Sequence, residues 1–232
     1  MSDLVRYDLD GDVAVLRLDD GKANALGPPM IEALNAALDR AAKEAGAVLM
    51  VGREGRFSAG FDLGVMQQGA EAGRALVTSG AKLAVRIARH PTPVVLAATG
   101  HALAMGAVLL AAADLRLGAA GNFKIGFNEV AIGMITPIFL LEFARERLSK
   151  RHLYRATVLA EIYAPEDAVD AGFLDRLVAP EDLVTTAMEE ARRLAQLPRG
   201  AFVGTRRLVR EKTLAGIEAT LADDIIRAFS PR

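Results

Sequence analysis

Glu129 is the residue whose surroundings first suggest chemistry, in the stretch Phe123-Lys124-Ile125-Gly126-Phe127-Asn128-Glu129-Val130-Ala131-Ile132-Gly133-Met134. If a strand persists through this stretch, period-two alternation puts Glu129 on the face shared by Phe123, Ile125 and Phe127. Burial among apolar side chains disfavours the charged carboxylate and raises its pKa, which makes it a better proton carrier near neutral pH. The same residues also read as a helix start, where nearby amides would satisfy the glutamate.

Two other segments could serve such a base. Gly52-Arg53-Glu54-Gly55-Arg56-Phe57-Ser58-Ala59-Gly60-Phe61-Asp62-Leu63 is rich in small residues. It is either an ordinary turn or a place where backbone approaches a ligand closely. Thr99-Gly100-His101-Ala102-Leu103-Ala104-Met105-Gly106-Ala107 stands just before an Ala- and Leu-rich stretch. The first amides of a helix are unpaired and favour negative charge, so an oxygen becoming anionic could be held there. Small residues equally suit a tightly packed buried helix.

Other chemistries find less support. His90, His101 and His152 lack metal-ligand spacing and there is no cysteine, so neither a metal site nor a disulfide is expected. The histidines are expected to be structural or surface groups. No phosphate- or dinucleotide-binding glycine fingerprint appears, so no cofactor is expected. A formal charge of -1 does not supply the basic surface that nucleic acid requires. Asp62 and Asp114 are expected to hold turns and helix ends.

The elements that must position these residues alternate. Val5 to Leu9 and Val13 to Leu18 read as a hairpin around Asp10-Gly11-Asp12. Pro28-Pro29 opens an amphipathic helix with Ile31, Leu34, Ala37, Leu38 and Ala41 on one face, ended by Gly46. Ala47 to Val51 suits a buried strand and Gly52 to Gly60 a loop. A helix near Glu71 to Arg89, a strand at Val94 to Ala98, a turn and a helix through Ala104 to Ala113 follow. Leu115 to Gly118 and Phe123 to Gly126 are further strands. Beyond Pro137 the chain becomes mainly helical, with Pro165 opening one helix that Gly172 closes and Pro180 another.

Val94 to Ala113 is about as long as a membrane span, but Thr99, Gly100, His101 and Gly106 break it into a strand, a turn and a buried helix. The charged Met1 to Asp10 lacks the apolar core of a secretory signal, so a cytoplasmic protein is expected. The 232 residues fit one compact unit, with no boundary sharper than Pro198.

The order of these segments resembles the crotonase, or enoyl-CoA hydratase and isomerase, superfamily. Phe57 to Leu63 is similar to the family's first oxyanion and CoA-binding segment, and Gly100 to Asp114 to its second. Ala164 to Asp175 is similar to its downstream helix-to-strand signature. The resemblance implies an α/β spiral of ββα repeats over residues 1–198, and a C-terminal helical region, 199–232, that builds a homotrimer or a dimer of trimers. It implies an acyl-CoA thioester as substrate, with its enolate held by the amides of Phe61 and Met105. Lys22, Ala23, Ala25, Ala59, Asp62 and Leu63 fall on CoA-contact positions.

Typical hydratases of this family carry two glutamates. Here the first falls on Val108, which can neither orient nor deprotonate water, and Glu129 keeps the second. Ile125 to Glu129 and Ile132 to Pro137 are similar to mitochondrial-type 3,2-trans-enoyl-CoA isomerases, in which that glutamate is the one acid-base. The resemblance therefore implies an isomerase. The alternatives are a hydratase or other lyase with a different second acid, Glu142 among the candidates, and a non-catalytic acyl-CoA binder. Met105 stands where the family usually has glycine, which puts the conformation of that loop in question.

Overall fold

The structure, a computed structural model, describes residues 4–229. Met1 to Asp3 and the last three positions of the 199–232 region lie outside the described residues.

Val5–Asp10 (β1) and Val13–Leu18 (β2) pair antiparallel from Val5 opposite Leu18 to Asp10 opposite Val13. Pro28–Glu44 (α1) follows, with its proline pair at the first turn and Met30, Ile31, Leu34, Ala37, Leu38 and Ala41 buried at helical spacing. The chain then winds. Ala47–Val51 (β3) and Gly55–Ser58 (β4) lead through the short Leu63–Met66 (α2) to Ala70–Ala88 (α3). Val94–Ala98 (β5) and Gly100–Leu103 (β6) lead to Met105–Ala112 (α4). Leu115–Ala119 (β7) and Ile125–Gly126 (β8) lead to a 3-10 turn at Val130–Ile132. Five helices and a strand complete the described chain: Ile138–Arg147 (α5), Lys150–Thr157 (α6), Pro165–Ala171 (α7), Arg176–Val178 (β9), Leu183–Ala195 (α8) and the long Arg199–Ala228 (α9).

Each turn of the winding gives one strand to each of two sheets. The larger sheet runs β1-β2-β3-β5-β7-β9, parallel beyond the opening hairpin, and the smaller runs β4-β6-β8, also parallel. This is the expected α/β spiral of ββα repeats. Period-two alternation sorts the larger sheet's side chains onto two faces. Val13, Val15, Leu49, Val95 and Leu117 meet Leu183, Ala187 and Ala191 of α8, whereas Leu16, Val48, Met50 and Leu96 join the main core with α1, α3 and α4. Both faces are covered, which is why these strands read as continuous apolar runs.

Three expectations need correction. Gly52 to Gly60 is not all loop, because Gly55–Ser58 forms β4, with Phe57 and Ser58 fully buried. The turn expected after Ala98 contains β6 instead, paired with β4 and β8. Strands of two to four residues carry no periodicity to read, and their small residues reflect close sheet packing. Finally, the strand near Glu129 does not persist: β8 ends at Gly126, whose φ of +152° favours glycine, so alternation does not place Glu129. The apolar stretch 94–113 divides into β5, β6 and α4, and no helix among the described residues is long and apolar enough to cross a membrane.

Candidate active site

The site is built where the exits of β4, β6 and β8 meet. Asp20 organises the first wall, because its carboxylate accepts the amides of Lys22, Asn24 and Ala25 at 2.7, 2.9 and 3.0 Å. Burial opposes ionisation there, but those amides and Arg53 outweigh it and hold the carboxyl below its usual range. Asn24, fully buried, ties this loop to the core by donating to Leu18 O at 3.0 Å and Phe57 O at 3.1 Å. The loop then docks on the exit of β4, with Ala59 N donating to Ala23 O, Leu26 N to Gly60 O and Asp62 N to Leu26 O, at 3.0, 2.8 and 3.3 Å.

That docking has a consequence for Phe61. In a bridge, alternate residues turn their peptide groups in opposite directions. Gly60 O and Asp62 N both face Leu26, so the intervening Phe61 N–H faces away from it and donates to nothing among the described residues. Met105 supplies a second amide unpaired among the described residues, as the first residue of α4, where intrahelical acceptors are missing. The two segments touch. Gly60 has φ +95°, and a Cβ placed on it would stand 2.8 Å from Ala104 Cβ and 3.3 Å from Met105 N.

The question raised by methionine at a glycine position is answered one residue earlier. Ala104, not Met105, takes the unusual backbone conformation, φ 49° and ψ -124°, while Met105 begins the helix and is buried. A non-glycine residue held there costs about 1–3 kcal/mol, and the surroundings enforce it: Ala104 N donates to Gly126 O, and Ala104 O accepts from Ala107 N and Val108 N. The Phe61 ring fits against Gly80 of α3, where an added Cβ would lie 2.3 Å from Cε1.

Glu129 lines a cavity of about 140 Å³ together with Phe61 and Met105. Val77, Val108, Phe139 and Leu140 give the cavity apolar walls. Glu129 is 7 % exposed, and although it stands just before the 3-10 turn it makes no side-chain capping bond. Glu129 thus stands at a helix start, as the alternative reading expects, but no capping bond satisfies it, and Oε2 is buried with no hydrogen-bond partner among the described residues. Burial pushes the carboxyl up to about 7, against a smaller opposing pull from the amides of Glu129 and Asn128. Asn128 Oδ1, also lining the cavity, is likewise buried without a partner. Asn128 was missed by pattern reasoning, since an amide beside an acid carries no spacing signal.

Of the remaining site residues, Ala59 and Leu63 line the same cavity. Lys22 is exposed next to half-buried Ala23 and Ala25 on the docked loop. Asp62 caps α2 by accepting from Gly64 N at 2.8 Å, and Asp114 accepts Val94 N at 2.9 Å, in agreement with their expected turn-holding roles. Glu142 is corrected: it pairs with Arg145 on α5 and does not line the cavity. His90 bonds to Leu38 O, His101 accepts Lys124 N, and His152 sits between Asp170 and Tyr163, all outside the cavity lining. A roomier cavity of about 540 Å³ beneath α9 holds none of the proposed acid-base or amide groups.

Comparison with known proteins yields a single answer at the family scale. A family model described as enoyl-CoA hydratase/isomerase matches residues 8–225. The chain is similar to a Pseudomonas syringae enoyl-CoA hydratase/isomerase family protein of known structure, with 44% identity, coverage of 98% and 99% of the two chains and a TM-score of 0.95. It is similar to a solved Mycobacterium tuberculosis enoyl-CoA isomerase at 42% identity, with 98% and 99% coverage and a TM-score of 0.93. Among curated relatives, the human mitochondrial enoyl-CoA delta isomerase 1 is 27% identical over 90% of this chain and 71% of its own length. A probable enoyl-CoA hydratase of Mycobacterium avium is 29% identical over 85% and 77%.

Proposed function

This chain belongs to the enoyl-CoA hydratase/isomerase family, and we propose that within it the protein moves the double bond of a 3-enoyl-CoA to the 2-trans position. One observation carries the reading: a buried carboxyl pushed up to about 7 shares an apolar cavity with Phe61 and Met105, whose amides are unpaired among the described residues, and the wall position at Val108 offers no second acid. In the first step the Glu129 carboxylate removes a proton from C2, and the C–H electrons delocalise through C1 onto the thioester oxygen. The Phe61 and Met105 amides hold that dienolate oxygen, which is worth roughly a hundredfold to a thousandfold in rate per donor. In the second step the oxygen's charge flows back, the double bond settles between C2 and C3, and Glu129 returns its proton to C4. No separate cofactor takes part in this scheme.

In the same proposal Lys22, Ala23, Ala25, Ala59, Asp62 and Leu63 hold the CoA portion, with Lys22 against a phosphate. The protein works in the cytoplasm as a homotrimer or a dimer of trimers, with residues 199–232 as the assembling region beyond a 1–198 core. Hydratase chemistry is the second reading, favoured by one feature: Glu129 Oε2 and Asn128 Oδ1 are two buried acceptors without donors, which a water molecule would satisfy.

A coupled assay on 3-hexenoyl-CoA, run beside hydration of crotonyl-CoA, separates the readings. Isomerisation that exceeds hydration and disappears in Glu129→Gln is the expected result. Hydration matching isomerisation would favour the hydratase, and tight binding without turnover a non-catalytic acyl-CoA binder. Full isomerase activity in Glu129→Gln would refute the base assignment.

A further inference from the structure

Helix α4 carries the Met105 amide at one end and is closed by arginines from two other helices at the other. Arg147 of α5 donates to Ala111 O at 3.0 Å and also to Ala113 O. Arg210 of α9 donates to Ala112 O at 2.6 Å and Ala111 O at 3.2 Å. These are carbonyls of the kind a last helical turn leaves without partners, and α4 has no basic residue of its own in that turn.

The charges gathered there do not cancel. Arg116 pairs with Asp175, Arg206 with Asp114 at 2.9 Å, and Arg210 with Glu146 at 2.7 Å. Among the described residues, Arg147 reaches only the Glu146 that Arg210 already engages, at 3.8 Å. Among these seven groups, four cations face three carboxylates, so one positive charge is left over against the carbonyl end of α4. The Arg147 guanidinium responds to this crowding. Burial, with Arg116 and Arg210 nearby, pushes it down to about 10, which leaves it charged at neutral pH.

An eight-residue helix is about 12 Å long, so its two poles still influence each other's surroundings. The negative pole at Ala111 to Ala113 would subtract from the field at Met105, and a cation seated on it removes that subtraction. We propose that Arg147 is a positioning residue for the reaction, acting through α4 to strengthen the hold of the Met105 amide on the thioester oxygen, with Glu146 setting how much of its charge is felt. This inference rests on the reading of Met105 as an oxyanion donor.

The probe is 4-(dimethylamino)cinnamoyl-CoA, whose visible band moves to the red when its thioester oxygen is polarised and which has no hydrogen on C4 to transfer. Bound to the unsubstituted protein it is expected to show a red shift. R147M should reduce that shift and lower kcat on 3-hexenoyl-CoA about five- to tenfold with KM within about twofold. R147K, which keeps the charge, should retain both. E146Q should enlarge the red shift, and it decides the matter alone if R147M does not fold. A band unchanged in both R147M and E146Q, or reduced in E146Q, would overturn this inference while leaving the oxyanion reading intact. An unshifted band in the unsubstituted protein would overturn the oxyanion reading, and this inference with it.

Discussion

Glu129 combines a cost to the fold with a use in the chemistry. Its carboxyl titrates near 4.5 when free and near 7 in place, because burial disfavours the charge. The raised value means that folding favours the protonated form, so this stability is fully present below pH 4.5 and is lost as pH rises through 7. A shift of this size is worth about 3 kcal/mol. Glu129→Gln should therefore melt above the unsubstituted protein at pH 8 and level with it near pH 4, in calorimetry across that range. The rate should run the other way, since the carboxylate starts the reaction: kcat/KM is expected to fall about tenfold per pH unit well below 7. At this scale the expected burial of Glu129 is found, but not by the expected construction. The expected strand stops at Gly126, and Glu129 instead stands just before the 3-10 turn, in a cavity it lines with Val77, Val108, Phe139 and Leu140. Asn24 could not be recognised, because its importance lies in a bond to Phe57, distant in the chain, and Asn128 could not because an amide beside an acid shows no spacing.

Among the elements, those with length were legible and those without it were not. The helices α1 and α3 show apolar residues at helical spacing, and β3 and β5 are five-residue apolar runs, so each declares itself. The strands β4, β6 and β8 hold only two to four residues, yet their exits carry the site. Gly80 illustrates what propensity cannot see. Replacing a glycine inside a helix by alanine ordinarily stabilises it by about 1 kcal/mol. At Gly80 the added methyl would collide with the Phe61 ring at 2.3 Å. G80A should therefore displace the Phe61 segment and lower kcat about tenfold or more, while melting temperature rises little or falls. A variant that is more stable and fully active would show that the ring position does not matter to the Phe61 amide.

For the whole molecule, the winding explains how one chain brings three separated segments together. Each turn of the spiral lays one strand beside its predecessor in each sheet, so β4, β6 and β8 become neighbours although their sequences are tens of residues apart. The alternation of strands and helices announced this α/β class, and the order of the motifs announced the family. Where the C-terminal helix would lie was not announced. Its contacts with α3 and α5, and the reach of Arg210 to the end of α4, depend on the completed fold.

The proposed reaction turns on one carboxyl group that both takes and returns a proton, and label transfer tests this step. With 3-hexenoyl-CoA carrying deuterium at both C2 positions and ordinary water as solvent, mass and magnetic resonance analysis of the product after a single turnover should find part of the label at C4, carried by the sheltered Glu129. A C4 hydrogen drawn entirely from water, together with undiminished turnover in Glu129→Gln, would contradict it.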